Sequence, residues 1–395
     1  MLTPKALCPL LLAAVFLVSG TVAAQNTPAP EWEPYHELGD LYPSFALAVA
    51  NLTDSTMDAK DETNIGDPNG IMGIVFTPDR DDTRISVQLT CASEPKLFGP
   101  AMIEVTLPAA GEEYRITPVM AFDQAKLASI RQPTTVSVTY TVTINGQRQP
   151  PRTEPLRVHS INECPLVLTD DNDDATMDWV VAAYVDEDHP GVKQVLDEAL
   201  AKRYVDSFVA YEGDQTRVYR QVLAVWQVLQ ERGNRYTALD ANTSGGTRDV
   251  PVQTIQLADE SVRNPKANCA DGSVLMASIL RKMGLSAVVV FIPGHVFVGF
   301  DLDEFGEKQV YLETTLLGVE PVYAPAAEKQ LAEQLLGNTT DAKTQAAVRS
   351  FVAAIESANQ TYAQHRNRIQ DGVIGYAAVP IDDARQEGIR PIRVK

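Results

Sequence analysis

The segment from Asn268 to Thr315 constrains the fold more than any other part of the chain. It opens as N-C-A-D-G-S-V-L-M-A-S-I-L-R-K-M-G, which carries the signals of a single helix at both ends. Asn268 is a good N-cap, Asp271 lies where a first-turn carboxylate is favoured, and Arg281, Lys282 and Gly284 make a basic last turn with a glycine stop. The chain continues as L-S-A-V-V-V-F-I-P-G-H-V-F-V-G-F, two apolar β-rich runs broken at Pro293-Gly294 with His295 at the head of the second. After a polar hairpin at 303–308, a third run reads Q-V-Y-L-E-T-T and contains Glu313.

This order also places a cysteine at the first turn of a helix, a histidine on a strand and a carboxylate on the next strand. A thiol at the positive end of a helix dipole sits where the reactive thiolate is favoured. An imidazole paired with it takes the proton and later returns it to a leaving group. A carboxylate on the other ring nitrogen fixes the tautomer and steadies the imidazolium. Cys269, His295 and Glu313 fit these three parts. Taken singly, Cys269 reads as a small buried hydrophobe, His295 as a turn histidine and Glu313 as a salt-bridged strand end; their order on these elements favours the catalytic reading. Asp271 reads first as a helix N-terminal carboxylate.

The segment from about 251 to 318 resembles the transglutaminase-like superfamily of papain-type folds, in which a nucleophilic Cys opens a helix and a His and an Asp follow on strands. The matched residues are Cys269, His295 and Glu313, with Glu in place of the usual Asp and E-T-T in place of D-P-T or D-G-T. The nearest likeness is to an exported bacterial branch with the pattern Q-x-V-R, G-N-C-x-D, P-G-H-x-F-V-G and L-E-T-T. The stretches here are 252–256, 268–271, 293–299 and 312–315. The resemblance implies a thiol enzyme acting on an amide, by peptide hydrolysis or by acyl transfer through a thioester. It implies Gln253 as a side-chain oxyanion donor beside the Cys269 backbone N–H. A protein or peptide substrate, from the cell envelope in an exported branch, follows from the same likeness. A catalytically inactive module of this fold that binds a cell-envelope protein or peptide is the alternative.

The chain has 395 residues, 45% hydrophobic and 22% charged, which is enough for two domains of ordinary globular composition. With a net charge of −19 and no basic stretch, it is not expected to bind nucleic acid or an anionic membrane. Residues 1–24 read as a secretory signal, with Lys5, an apolar run over 6–18 and a small-residue site at Val22-Ala23-Ala24. The expectation is therefore a periplasmic or secreted protein. After signal removal no apolar run of about 18 residues remains, so no transmembrane segment is expected. Of four cysteines Cys8 lies in the signal; Cys91 and Cys164 could pair in an oxidising compartment, leaving Cys269 as the odd thiol. No Cys or His lies at ligand spacing to another, so neither a metal nor another cofactor is implied.

The predicted organisation is α+β: an N-terminal β-sandwich of immunoglobulin-like kind, then a transglutaminase-like, papain-like α+β domain. Residues 25–40 form a leader without periodicity. Over 41–168 strands are predicted at 45–50, 84–90, 102–107, 134–144 and 155–158, with Asn145-Gly146 as a hairpin turn. The run T-D-D-N-D-D at 169–174 belongs to an acidic linker, 169–175. From 176 to 395 helices are predicted at 177–185, 192–202, 217–232 and through 326–370, then a strand at 375–381 and a short helix ending near Gly388.

Overall fold

The computed structural model describes residues 31–52, 62–169, 174–237, 250–319 and 329–393. The signal expected over 1–24 lies outside the described residues. The fold is mixed α and β, with several sheets.

In the first half, Thr83–Cys91 pairs antiparallel with Ala101–Leu107 on one side and Thr134–Ile144 on the other. Thr134–Ile144 in turn pairs with Arg152–Val158. Val136, Val138, Tyr140, Val142 and Ile144 are all buried, so the alternation in the sequence is the alternation of faces. Asn145 and Gly146 both take positive φ, 51° and 80°, as the tight turn into Gln147–Arg148 requires. A second sheet has the order Trp32–His36, Met72–Phe76, Tyr114–Thr117 and Asn64–Gly66.

Two expectations are corrected here. The leader predicted over 25–40 contains a paired strand, because Trp32 and Tyr35 bury their rings against the core. The strand predicted at 45–50 is instead the helix Pro43–Val49, all seven residues of which are buried. A fully buried apolar run has no periodicity to separate helix from strand, and Pro43 at the first turn is preset for helical φ.

The acidic linker is also shorter than expected: Val167–Thr169 pairs antiparallel with Asp174–Thr176, and residues 170–173 lie outside the described residues. The two halves of the chain are joined by more than this hairpin. Glu163–Pro165 pairs antiparallel with Val252–Thr254, and Phe45 meets Trp179 at 5.9 Å between ring centroids. One apolar core runs through both halves.

The second half centres on an antiparallel sheet in the order Gln309–Leu312, His295–Asp301, Ala287–Ile292, Ala377–Pro380. Val289, Phe291, Val296, Val298 and Phe300 join the main core on the side of helix Cys269–Lys282. Val288, Val290, Phe297 and Tyr311 face the opposite way, against Ala358 and Tyr362 of helix Ala342–Gln370. Both faces of the sheet are therefore covered, which is why its strands read as continuous apolar runs. The helices Pro190–Ala201 and Gln215–Glu231 fall where predicted, with Val218, Val222, Val225, Trp226 and Leu229 buried. The helix predicted at 177–185 is a tighter 3-10 turn, Asp178–Tyr184. The helical stretch over 326–370 is two helices, Lys329–Leu336 and Ala342–Gln370, separated by Gly337 at φ 51° and restarted by the Asp341 cap.

Candidate active site

Helix Cys269–Lys282 starts on a reciprocal cap. The Asn268 side-chain oxygen accepts the Asp271 N–H at 2.8 Å, and Asp271 Oδ2 accepts the Asn268 N–H at 2.9 Å. Both groups also reach across to the preceding segment: Asn268 Nδ2 donates to the Thr254 carbonyl at 3.0 Å, and Asp271 Oδ1 accepts the Gln256 N–H at 2.7 Å. Burial raises the Asp271 carboxyl above its ordinary pKa, with the two backbone donors pulling the other way. Asp271 is thus a structural cap with both oxygens committed. Cys269, next to this cap, is partly exposed in the first turn.

His295 begins the strand that follows the Pro293-Gly294 turn, where Gly294 takes φ 76°, and it lies opposite Ile292 in the ladder. Its Nε2 sits 2.6 Å from Glu313 Oε2. The imidazole pKa is pushed up to about 10, first by the hydrogen-bonding interaction with the Cys269 side chain and then by that with Glu313, against a desolvation that lowers it. The ring stacks over Phe297 at 6.1 Å between centroids, which limits its rotation.

Glu313 follows strand Gln309–Leu312 and caps the one-turn 3-10 helix Thr314–Leu316. It is 6% exposed. Its Oε1 accepts both the N–H of Thr315, at 3.1 Å, and the Thr315 hydroxyl, at 2.6 Å, so Oε2 is aimed at His295. Burial works to raise the Glu313 pKa, but the hydrogen bond and charge of His295, with the Thr315 donors, outweigh it and hold the carboxyl below its usual range. Of the three residues singled out by their order in the sequence, the imidazole and the carboxylate are hydrogen-bonded and the Cys269 side chain acts on the same imidazole, so the longer Glu side chain does reach the ring.

Three neighbours were not singled out from sequence. Thr315 stood in the E-T-T motif without a role. The Ser273 hydroxyl, 0% exposed, donates to the Cys269 carbonyl at 2.7 Å and also lies 3.3 Å from the Val296 carbonyl and 3.4 Å from the Thr314 hydroxyl, so it touches the elements that carry Cys269, His295 and Glu313. Gly272 lies so close to Thr314 that a Cβ would come 2.8 Å from its Oγ1. The signal for both was a glycine and a serine in the interior of an otherwise apolar helix, one turn after the cysteine.

Gln253 lies in the strand Val252–Thr254 that receives the Asn268 amide through its neighbour Thr254. The Gln253 side chain is mostly buried and donates to the Thr254 carbonyl at 2.9 Å, which uses one of its two amide hydrogens. The expected Cys91–Cys164 disulfide is not formed: both thiols are free. Cys91 ends the central strand of the first sheet, opposite Val138, and points its sulfur to the carbonyls of Ser93 and Pro95. Cys164 belongs to a different ladder, opposite Gln253, and is fully buried.

Among the described residues, no group of three or more His, Cys, Asp or Glu side chains is arranged to hold a metal ion, and no helix is long and apolar enough to cross a membrane. No family model matches the chain, and no curated protein matches it.

Proposed function

We propose that this protein is an exported, transglutaminase-like thiol enzyme of papain-type fold, with an immunoglobulin-like sandwich ahead of the catalytic domain, acting on amide bonds of a protein or peptide. Cys269 attacks the amide carbonyl and its proton passes to His295. The oxyanion of the tetrahedral adduct takes hydrogen bonds from the Cys269 backbone N–H and the Gln253 side chain. Collapse breaks the C–N bond, the imidazolium gives its proton to the departing amine, and a thioester remains on Cys269. Water or a second amine, deprotonated by His295, then releases the acyl group as hydrolysis or as transfer.

The observation that carries this reading is the placement of His295 between Cys269 and the buried Glu313, whose other oxygen is held by Thr315. An imidazole kept protonated on one side by a carboxylate, with the other nitrogen facing a thiol at a helix N-terminus, is the arrangement that a thiolate nucleophile needs. The test is turnover of a fluorogenic peptide library, alongside incorporation of dansyl-cadaverine into a glutamine-containing protein. Turnover that survives Cys269→Ala would remove the thiol from the reaction, and loss of turnover in Cys269→Ala with the fold intact supports it.

A further inference from the structure

We infer that Asn162, in the N-terminal half of the chain, is a positioning residue for Cys269, an inference that rests on the reading of Cys269 as the nucleophile. The connection runs through Ile255. Its N–H donates to the Asn162 carbonyl at 2.8 Å, and its carbonyl accepts from Asn162 Nδ2 at 2.9 Å, so one residue holds both backbone groups. The residues on either side of Ile255 hold the helix cap: the Thr254 carbonyl binds Asn268 Nδ2, and the Gln256 N–H binds Asp271 Oδ1. Asn162, Ile255 and the cap beneath Cys269 thus form one short chain of hydrogen bonds.

Asn162 is itself fixed from its own side. Its second amide hydrogen goes to Glu260 Oε2 at 2.6 Å, which uses both donors of the amide. Its side-chain oxygen accepts from Arg131 at 3.4 Å, and Arg131 also pairs with Glu260 at 3.3 Å. Its backbone N–H donates to the Ser160 hydroxyl at 3.2 Å. Close by, the buried His159 bridges Asp40 at 3.0 Å and Glu163 at 2.8 Å, tying the segment to the stretch just ahead of helix Pro43–Val49. Without the Asn162 amide, the Ile255 carbonyl and Glu260 each lose a donor, and the segment that braces the cap keeps only the Asn162 carbonyl and its ladder with Glu163–Pro165.

The experiment is alkylation of the full-length chain with iodoacetamide, followed at the Cys269 peptide by mass spectrometry across pH. In Asn162→Ala, with near-ultraviolet circular dichroism unchanged, the rate at neutral pH falls severalfold, because a thiol displaced from the imidazole and the helix N-terminus is less available as thiolate. The pH profile of the reaction moves as well, which a purely structural role would not cause. Arg131→Ala, on the partly exposed side of the network, moves both readouts in the same direction by less. Asn162→Asp lowers the rate, and adding Glu260→Gln recovers part of it by reversing the donor and acceptor of the 162–260 hydrogen bond. A folded Asn162→Ala with the wild-type rate and profile overturns the inference. If Asn162→Ala does not fold, an Arg131→Ala protein with wild-type alkylation overturns it instead. A wild-type Cys269 that alkylates no faster than free cysteine would defeat the nucleophile reading, and this inference with it.

Discussion

Thr315 grips Glu313 through a single carboxylate oxygen, giving Oε1 both its N–H and its hydroxyl and leaving Oε2 to His295. The hydroxyl is the shorter of the two contacts, 2.6 Å against 3.1 Å for the N–H. Thr315→Val keeps the backbone donor and the side-chain shape but removes that hydroxyl. A hydrogen bond to a charged group is worth about 1.5–3 kcal/mol. The expected result is therefore a roughly tenfold to hundredfold fall in kcat with KM little changed, and Thr315→Ser should recover most of it. A Thr315→Val enzyme with wild-type kcat would mean that the backbone alone aims Glu313.

The His295 shift makes a prediction about pH. Its imidazole pKa is raised to about 10, so the imidazolium is present at neutral pH and is lost as pH rises through about 10; in the proposed reaction this is the form that protonates the leaving amine. The stability from the His295 and Glu313 pairing has the same upper limit: for a raised histidine it is complete below the ordinary value near 6.5 and disappears through the folded value. Glu313, held below its usual range, loses its share only as pH falls through that lowered value. Glu313→Gln removes the second contributor to the histidine shift and should move the alkaline limb of kcat/KM downward by a unit or more, besides lowering kcat. In the general serine-protease template the corresponding carboxylate-to-amide change cost about ten-thousand-fold. An alkaline limb that stays at the wild-type position in Glu313→Gln would show that another group sets the histidine pKa.

The positions of Cys269, His295 and Glu313 were legible because each is announced by local chemistry that survives in one dimension. Asn268 and Asp271 mark a helix start on either side of Cys269, and the Pro293-Gly294 turn marks the head of the strand at His295. The sheet and its two covering helices were legible for the same reason, since a doubly covered strand is apolar throughout. Pro43–Val49 was misread because a fully buried helix has no polar face to reveal its period. Ser273 and Asn162 were missed because their work is done through backbone carbonyls far away in sequence, at Val296 and Ile255, and no spacing rule reports that. The Cys91–Cys164 pair failed because redox compartment limits which cysteines may join but not which strands carry them.

Counting thiols tests that last correction. Denatured without reductant, the protein should titrate Cys91, Cys164 and Cys269 as free thiols. In the native state Cys269 should react first, because Cys91 and Cys164 are buried and burial pushes the Cys164 thiol well above its ordinary pKa. One free thiol among these three in the denatured, unreduced protein would restore the disulfide.

Gly272 offers a test of how closely the helix that begins at Cys269 must approach the turn that carries Glu313. A Cβ at this position would lie 2.8 Å from Thr314 Oγ1 and 3.1 Å from Thr314 Cβ, both inside ordinary contact. The helix has no slack on this side, because Ser273 is bonded to Thr314 and Val296 at the next position. Gly272→Ala should therefore destabilise the fold by about 1–3 kcal/mol, as overpacking does, even though alanine is the better helix former. It should also lower kcat, since relief of the clash moves Glu313 away from His295. Thr314→Ala alone removes a buried hydroxyl and should be mildly destabilising. In the double variant the Oγ1 contact no longer exists, so the two changes should cost less together than the sum of the single variants. Thermal denaturation of the four proteins gives the coupling directly, and strictly additive losses would mean that Gly272 is needed for a reason other than its contact with Thr314.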